Sequence, residues 1–186
     1  TFDWYRRDTK DMLAPGMDLP WVVGASAAKQ NAANLRTYGW ELELSWRDRI
    51  KDWSYHIGFN LYDSQSEITK FNNETNLLGT YRKGQKIGEI WGYRADDLFL
   101  SNREIDDYLR NVNLTAFKSN DLWRRGDLKY IDSNGDGRVD GGKGTLADHG
   151  DLQIIGNTTP KYSFGINLNL GYKGFEISTL LQGVAK

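Results

Sequence analysis

The chain has no cysteine and only 3 prolines in 186 residues. Without cysteine there is neither a disulfide scaffold nor a thiolate metal site. Charge of one sign is also missing: 24 Lys and Arg against 25 Asp and Glu leave a formal net charge of -1. A nucleic-acid-binding domain would carry a basic stripe instead, so no nucleic acid is expected as a partner. No apolar run is long enough for a transmembrane helix. Phosphate-cradling glycine loops, nucleophile elbows and HExxH pairs are absent as well. The two histidines, His56 and His149, fall on a polar strand face and in a glycine-rich loop. The adjacent acids Asp96-Asp97 and Asp106-Asp107 point apart on any strand or helix, so they form no acid–base couple. No enzyme is expected. The chain opens on TFDWYRRD, already in mid-pattern and without a leader, and stops at GVAK, which suggests a piece of something longer.

Aromatic residues (7 Trp, 10 Tyr, 7 Phe) and 20 glycines are plentiful, a composition suited to sheets joined by tight turns. Alternation is the dominant pattern. Tyr162, Phe164, Ile166, Leu168, Leu170 and Tyr172 point one way, while Ser163, Gly165, Asn167, Asn169 and Gly171 point the other. Trp40, Leu42, Leu44 and Trp46 repeat the pattern opposite Glu41, Glu43, Ser45 and Arg47. Trp53, Tyr55, Ile57, Phe59 and Leu61 repeat it again. Strands are expected near 1–12, 37–47, 53–70, 161–173 and 175–186, all antiparallel. Lys173-Gly174 reads as a two-residue hairpin turn, with Gly174 supplying positive φ. Ser101-Asn102 is a helix N-cap signal ahead of Ile105, Leu109 and Val112, which predicts a short helix over 103–112.

Connections are lopsided. Two are tight, and two are long, near 13–36 and 64–160. Antiparallel strands then put every tight turn at one end and every long excursion at the other, as in an outer-membrane β-barrel. The strand lengths match the ~9–11 tilted residues that span a bilayer. Aromatic residues near strand ends (Trp46, Trp53, Tyr162, Tyr172, Phe175) suit the membrane interfaces. A mainly β fold follows: antiparallel strands of a large transmembrane barrel, with a long extracellular loop region containing a short helix. Residues 1–62 read as barrel strands with one extracellular loop, 63–160 as the extracellular loop region, and 161–186 as a barrel hairpin. A soluble β-sandwich also alternates, and a calcium-braced carbohydrate-binding module or an adhesin-like domain stays open as the alternative.

Within the long excursion, Asp132, Asn134, Asp136 and Asp140 stand at positions 1, 3, 5 and 9 of an EF-hand-like loop. Gly137 occupies position 6, and Arg138 offers its carbonyl at position 7. Lys143 stands where a bidentate carboxylate closes such loops, leaving Asp148 or Asp151 to close it from further along. The spacing suggests a structural Ca²⁺; the competing reading is an Asp-rich turn needing no ion.

YRRDTKDML, RTYGWELELSWRD, GQKIGEIWGYRADDLF, GDLKYIDSNGDGRVD and IIGNTTPKYSFGINLNLGYKGFEISTLLQG resemble, in this order, the C-terminal part of SusC/RagA-like TonB-dependent outer-membrane transporters. The resemblance spans nearly the whole chain. It implies barrels of roughly 22 strands with a plugged lumen, in the outer membrane of a Gram-negative bacterium. It also implies a SusD-like lipoprotein lid, TonB as the energy source, and oligosaccharides or peptides as cargo. The insertion Gly141-Gly142-Lys143-Gly144 departs from the family pattern just where a closing ligand is expected.

Overall fold

The computed structural model describes residues 1–14 and 29–185. In chain order its elements are β1 (Phe2–Ala14), β2 (Gln30–Ile50), β3 (Trp53–Lys70), β4 (Glu89–Gly92), β5 (Ala95–Leu98), α1 (Asn102–Leu109), a 3-10 turn (Asn120–Leu122), β6 (Leu128–Tyr130), β7 (Gln153–Asn157), β8 (Lys161–Tyr172) and β9 (Phe175–Ala185). They divide into two compact units, Thr1–Lys70 with Thr158–Lys186, and Phe71–Asn157. The fold is mainly β, its strand pairings antiparallel, with one short α-helix among the described residues.

The first unit is a single five-stranded sheet in the order β1-β2-β3-β8-β9. Ile50 pairs with Trp53, Trp53 with Tyr172, and Tyr172 with Phe175, so the two tight turns lie at the same end. Lys173 (φ 47°) and Gly174 (φ 88°) both take positive φ. That is the primed turn whose twist matches that of the flanking strands. Lys51 (φ 54°) also takes positive φ in the two-residue Lys51-Asp52 turn.

Two strands are longer than their side chains announced. β2 begins at Gln30 rather than near 37, because Leu35, Arg36 and Thr37 pair with Thr9, Asp8 and Arg7 on one side and with Ile68, Glu67 and Ser66 on the other. The segment NAANLRTYG carries no apolar alternation, and main-chain ladders on both flanks hold it instead. β1 runs on to Ala14, so the connection expected over 13–36 is confined to 15–29, of which 15–28 lie outside the described residues. Lys186, the end of the last expected strand, also lies outside them.

The second unit has its own core. Phe99, Ile105, Leu114, Trp123 and Val139 are buried together, and Tyr93, Tyr108, Leu109, Val112, Phe117 and Tyr130 pack around them. Phe117 stacks on Tyr130 at 4.3 Å, and Phe99 meets Trp123 edge-on at 6.1 Å. α1 starts where the cap signal put it, with Ser101 Oγ accepting from the Glu104 N–H at 3.2 Å. It ends earlier than 112, since the Asn111 and Val112 N–H groups both turn onto the Tyr108 carbonyl. The hairpin-like pairs β4·β7 and β5·β6 are too short to show a period in the sequence.

Candidate functional site

Directly paired residues on antiparallel strands project to the same face, so the register defines both surfaces of the five-stranded sheet. One surface carries the rows Phe2–Leu42–Leu61–Phe164, Leu44–Phe59–Ile166–Leu181, Trp46–Ile57–Leu168–Thr179, Asp48–Tyr55–Leu170–Ile177 and Ile50–Trp53–Tyr172–Phe175. Trp4 and Trp40 extend it beyond the first row. This is the continuous apolar surface expected for Trp40, Leu42, Leu44, Trp46, Phe59, Ile166, Leu168 and Leu170. Much of it is bare: Trp46 is 62 % exposed, Ile177 66 % and Phe175 78 %. All five strands of this unit lie in one sheet, whereas a sandwich would set a second sheet on this face.

The height of the band has a physical scale. From the Trp53 row to the Trp40–Asp63 row the strand rises roughly 33 Å at ~3.3 Å per residue. With a tilt of ~40° this projects to about 25 Å, the height of the apolar band on outer-membrane barrels. Rings gather at both limits, whereas Trp46, expected with them at a strand end, lies in the middle Ile57–Leu168 row. Trp53 stacks on Tyr172 at 4.4 Å beside the turns, and Phe2 stacks on Trp40 at 6.5 Å at the far edge.

The opposite surface is polar. Its rows are Asp3–Glu41–Tyr62–Ser163, Glu43–Asn60–Gly165–Gln182, Ser45–Gly58–Asn167–Leu180, Arg47–His56–Asn169–Ser178 and Arg49–Ser54–Gly171–Glu176. His56 Nδ1 lies 3.3 Å from Asn169 Nδ2, so the histidine is one member of a polar ladder. Asp3, Glu41 and Glu43 put acid at one end of the face, and Arg47 and Arg49 put base at the turn end.

In the second unit, Asp132, Asn134, Asp136, Arg138 and Asp140 share one loop, to which Asp151 returns. Their oxygens are turned onto the main chain. Asp132 accepts from the Gly135 and Gly137 N–H groups at 2.7 and 2.8 Å. Asn134 Oδ1 accepts from Asp136 N at 3.0 Å, Asp136 Oδ1 from Arg138 N at 2.8 Å, and Asp140 Oδ1 from Gly142 N at 2.8 Å. Asp151 is 1 % exposed and accepts from Ser133, Asn134 and Asp140 N–H groups at 2.6, 3.3 and 3.0 Å. Asp148 sits apart, with Lys143 Nζ 3.6 Å from its carboxylate. Among the described residues no three His, Asp or Glu side chains are grouped to hold a metal.

A second polar cluster of this unit had no sequence signal of its own. Arg82 Nη2 donates to Glu89 Oε2 at 2.7 Å, with side chains only 4 % and 7 % exposed. Trp91 Nε1 donates to the same oxygen at 3.3 Å, and the Arg82 guanidinium lies 5.2 Å over the Trp91 ring. An opposite pair seven residues apart in a glycine-punctuated loop is a hint only once the loop is known to fold back. Elsewhere, the Leu100 N–H and then the Lys129 ammonium hold the Glu104 carboxyl below its ordinary range. Lys118, then the Arg124 N–H, does the same for Asp127.

TonB-dependent receptor P3 of Formosa agariphila is 26 % identical over 196 residues, covering 98 % of this chain and 18 % of its own length. TonB-dependent receptor P39 of the same organism is 24 % identical, covering 97 % of this chain and 19 % of its own. Among solved structures, the RagAB peptide transporter superposes with a TM-score of 0.59 at 20 % identity, over 96 % of this chain and 18 % of that one. The RagAB peptide importer in its open-open state gives a TM-score of 0.61 at 17 % identity. No family model matches the chain. These similarities bear out the resemblance to SusC/RagA-like TonB-dependent transporters. The chain spans about a fifth of the length of the curated relatives it matches.

Proposed function

We propose that the five strands are a section of the wall of a TonB-dependent outer-membrane importer. The apolar face meets lipid, the polar face lines the lumen, and the tight turns lie on the periplasmic side. The observation that carries this reading is the continuous exposed apolar face of one sheet, backed by a face of Ser, Asn, Gly and charged residues. A soluble domain rarely leaves such a patch bare. The relatives are named receptors and transporters rather than enzymes, which supports a transport role.

In this reading the Phe71–Asn157 unit belongs to the extracellular side, where long loops of such barrels lie. The whole protein works in a Gram-negative outer membrane with TonB and a SusD-like lipoprotein, and imports an oligosaccharide or a peptide. Peptide cargo is favoured by the RagAB likeness, and that likeness carries fold alone at this identity. Fluorescence quenching by brominated lipids tests the wall. In the reconstituted whole protein, with other tryptophans replaced, Trp46 and Trp53 are quenched by bromines on acyl chains. A tryptophan placed at Asn167 is quenched by aqueous iodide instead. The opposite result, or apolar-face tryptophans shielded from both quenchers as in a sandwich core, overturns the proposal.

A further inference from the structure

We infer that the acidic loop is fastened by the Asp151 carboxylate and folds without a metal ion. An EF-hand-like loop is drawn together by a cation that collects side-chain oxygens; here the collecting group is itself an anion. Asp151 gathers the Ser133 and Asn134 N–H groups at the start of the loop with Oδ1 and the Asp140 N–H at its ninth position with Oδ2. Its own N–H donates to the Asp140 carbonyl at 2.9 Å, so it is tied to position 9 in both directions. A buried carboxylate needs such partners, because each N–H it accepts replaces lost solvation.

The rest of the loop is built to match. Asp132, Asn134 and Asp136 each close a short turn by accepting from N–H groups two to five residues ahead. The Gly141-Gly142-Lys143-Gly144 segment puts a lysine rather than a carboxylate at position 12, and the chain circles before returning at Asp151. At Gly142 a Cβ would collide with Asp148 Oδ1, and at Gly150 one would collide with the Asp140 carbonyl oxygen. The main chain is therefore pressed against itself where it brings Asp151 home. The ninth-position Asp140 is turned away onto Gly142.

Hydrogen exchange read by mass spectrometry on the whole detergent-purified protein tests this, with calcium titrated by calorimetry. Asp151→Asn loses the ionic acceptor, and exchange of peptides covering 131–141 rises at least tenfold. EGTA leaves the wild-type exchange unchanged, and calcium gives no saturable heat. The chelator arm needs no variant, so it stands even if Asp151→Asn fails to fold. Gly142→Ala offers a second variant, predicted to loosen the same peptides by forcing the ring open. Faster exchange on EGTA that is reversed by calcium, or an Asp151→Asn loop as protected as wild type, overturns the inference.

Discussion

Leu168 lies in the middle row of the apolar face, between Ile57 and Thr179, with one paired row on either side before the Trp53–Tyr172 and Leu61–Phe164 rows. If that face meets lipid, Leu168→Arg puts a guanidinium near the bilayer midplane, at a cost of roughly 2–4 kcal/mol. At ~1.4 kcal/mol per tenfold, folding equilibrium shifts by roughly thirtyfold to several hundredfold. Phe175→Arg sits at the turn-end rim of the same face and costs about 0–1 kcal/mol, because the charge reaches headgroups and water. Asn167→Arg, one residue away on the polar face, is close to neutral. It has room, since Gly58 beside it presents no side chain and an added Cβ there would stand 3.5 Å from Asn167 Cβ. The assay is equilibrium denaturant unfolding of the whole protein in lipid bilayers. A graded order, Leu168 well above Phe175 with Asn167 lowest, is the signature of depth in a membrane. Equal costs at Leu168 and Phe175, or a larger cost at Asn167, would refute the lipid-facing assignment, because burial in a protein core does not follow distance along the strand.

Three further outcomes concern the Phe71–Asn157 unit. Phe99→Ala removes a fully buried ring from its core and costs about 3–5 kcal/mol, so limited proteolysis should cut between residues 71 and 157 while the five-stranded sheet keeps its strand signal. Arg82→Ala leaves Glu89 buried and unpaired and lowers stability by about 3–5 kcal/mol. Arg82→Met with Glu89→Leu should recover most of that in chemical unfolding, since Arg82 Nη1 already has no partner. The depressed carboxyls of Asp127 and Glu104 bind protons less readily folded than unfolded. Their stabilisation is therefore full above the ordinary carboxylate pKa of about 4 and is lost as pH falls through the folded values. Melting followed from pH 6 to pH 2 should show that loss, and Asp127→Asn with Glu104→Gln should flatten it; an unchanged slope in the double variant would count against the assignment.

The sequence by itself determined the elements that repeat. Alternation at 40–46, 53–61 and 162–172 located three strands and sorted their side chains by face, because a strand's period of two is local and survives without knowing its neighbours. Gly174 and Ser101 marked a turn and a helix start through backbone needs equally local. What lies at 30–36 was decided only by tertiary structure: a polar segment becomes strand when β1 pairs along it and β3 joins from Asn34 onward. The unit from Phe71 to Asn157 shows the same limit. Its core joins Phe99, Ile105, Leu114, Trp123 and Val139 across distances no period records. The acidic loop shows it most plainly. The spacing of Asp132, Asn134, Asp136 and Asp140 was legible, and so was the chance that Asp151 closes the loop. Whether those oxygens face one another or the backbone depends on where the folded chain carries its N–H groups, and a buried carboxylate goes to the donors that replace its water.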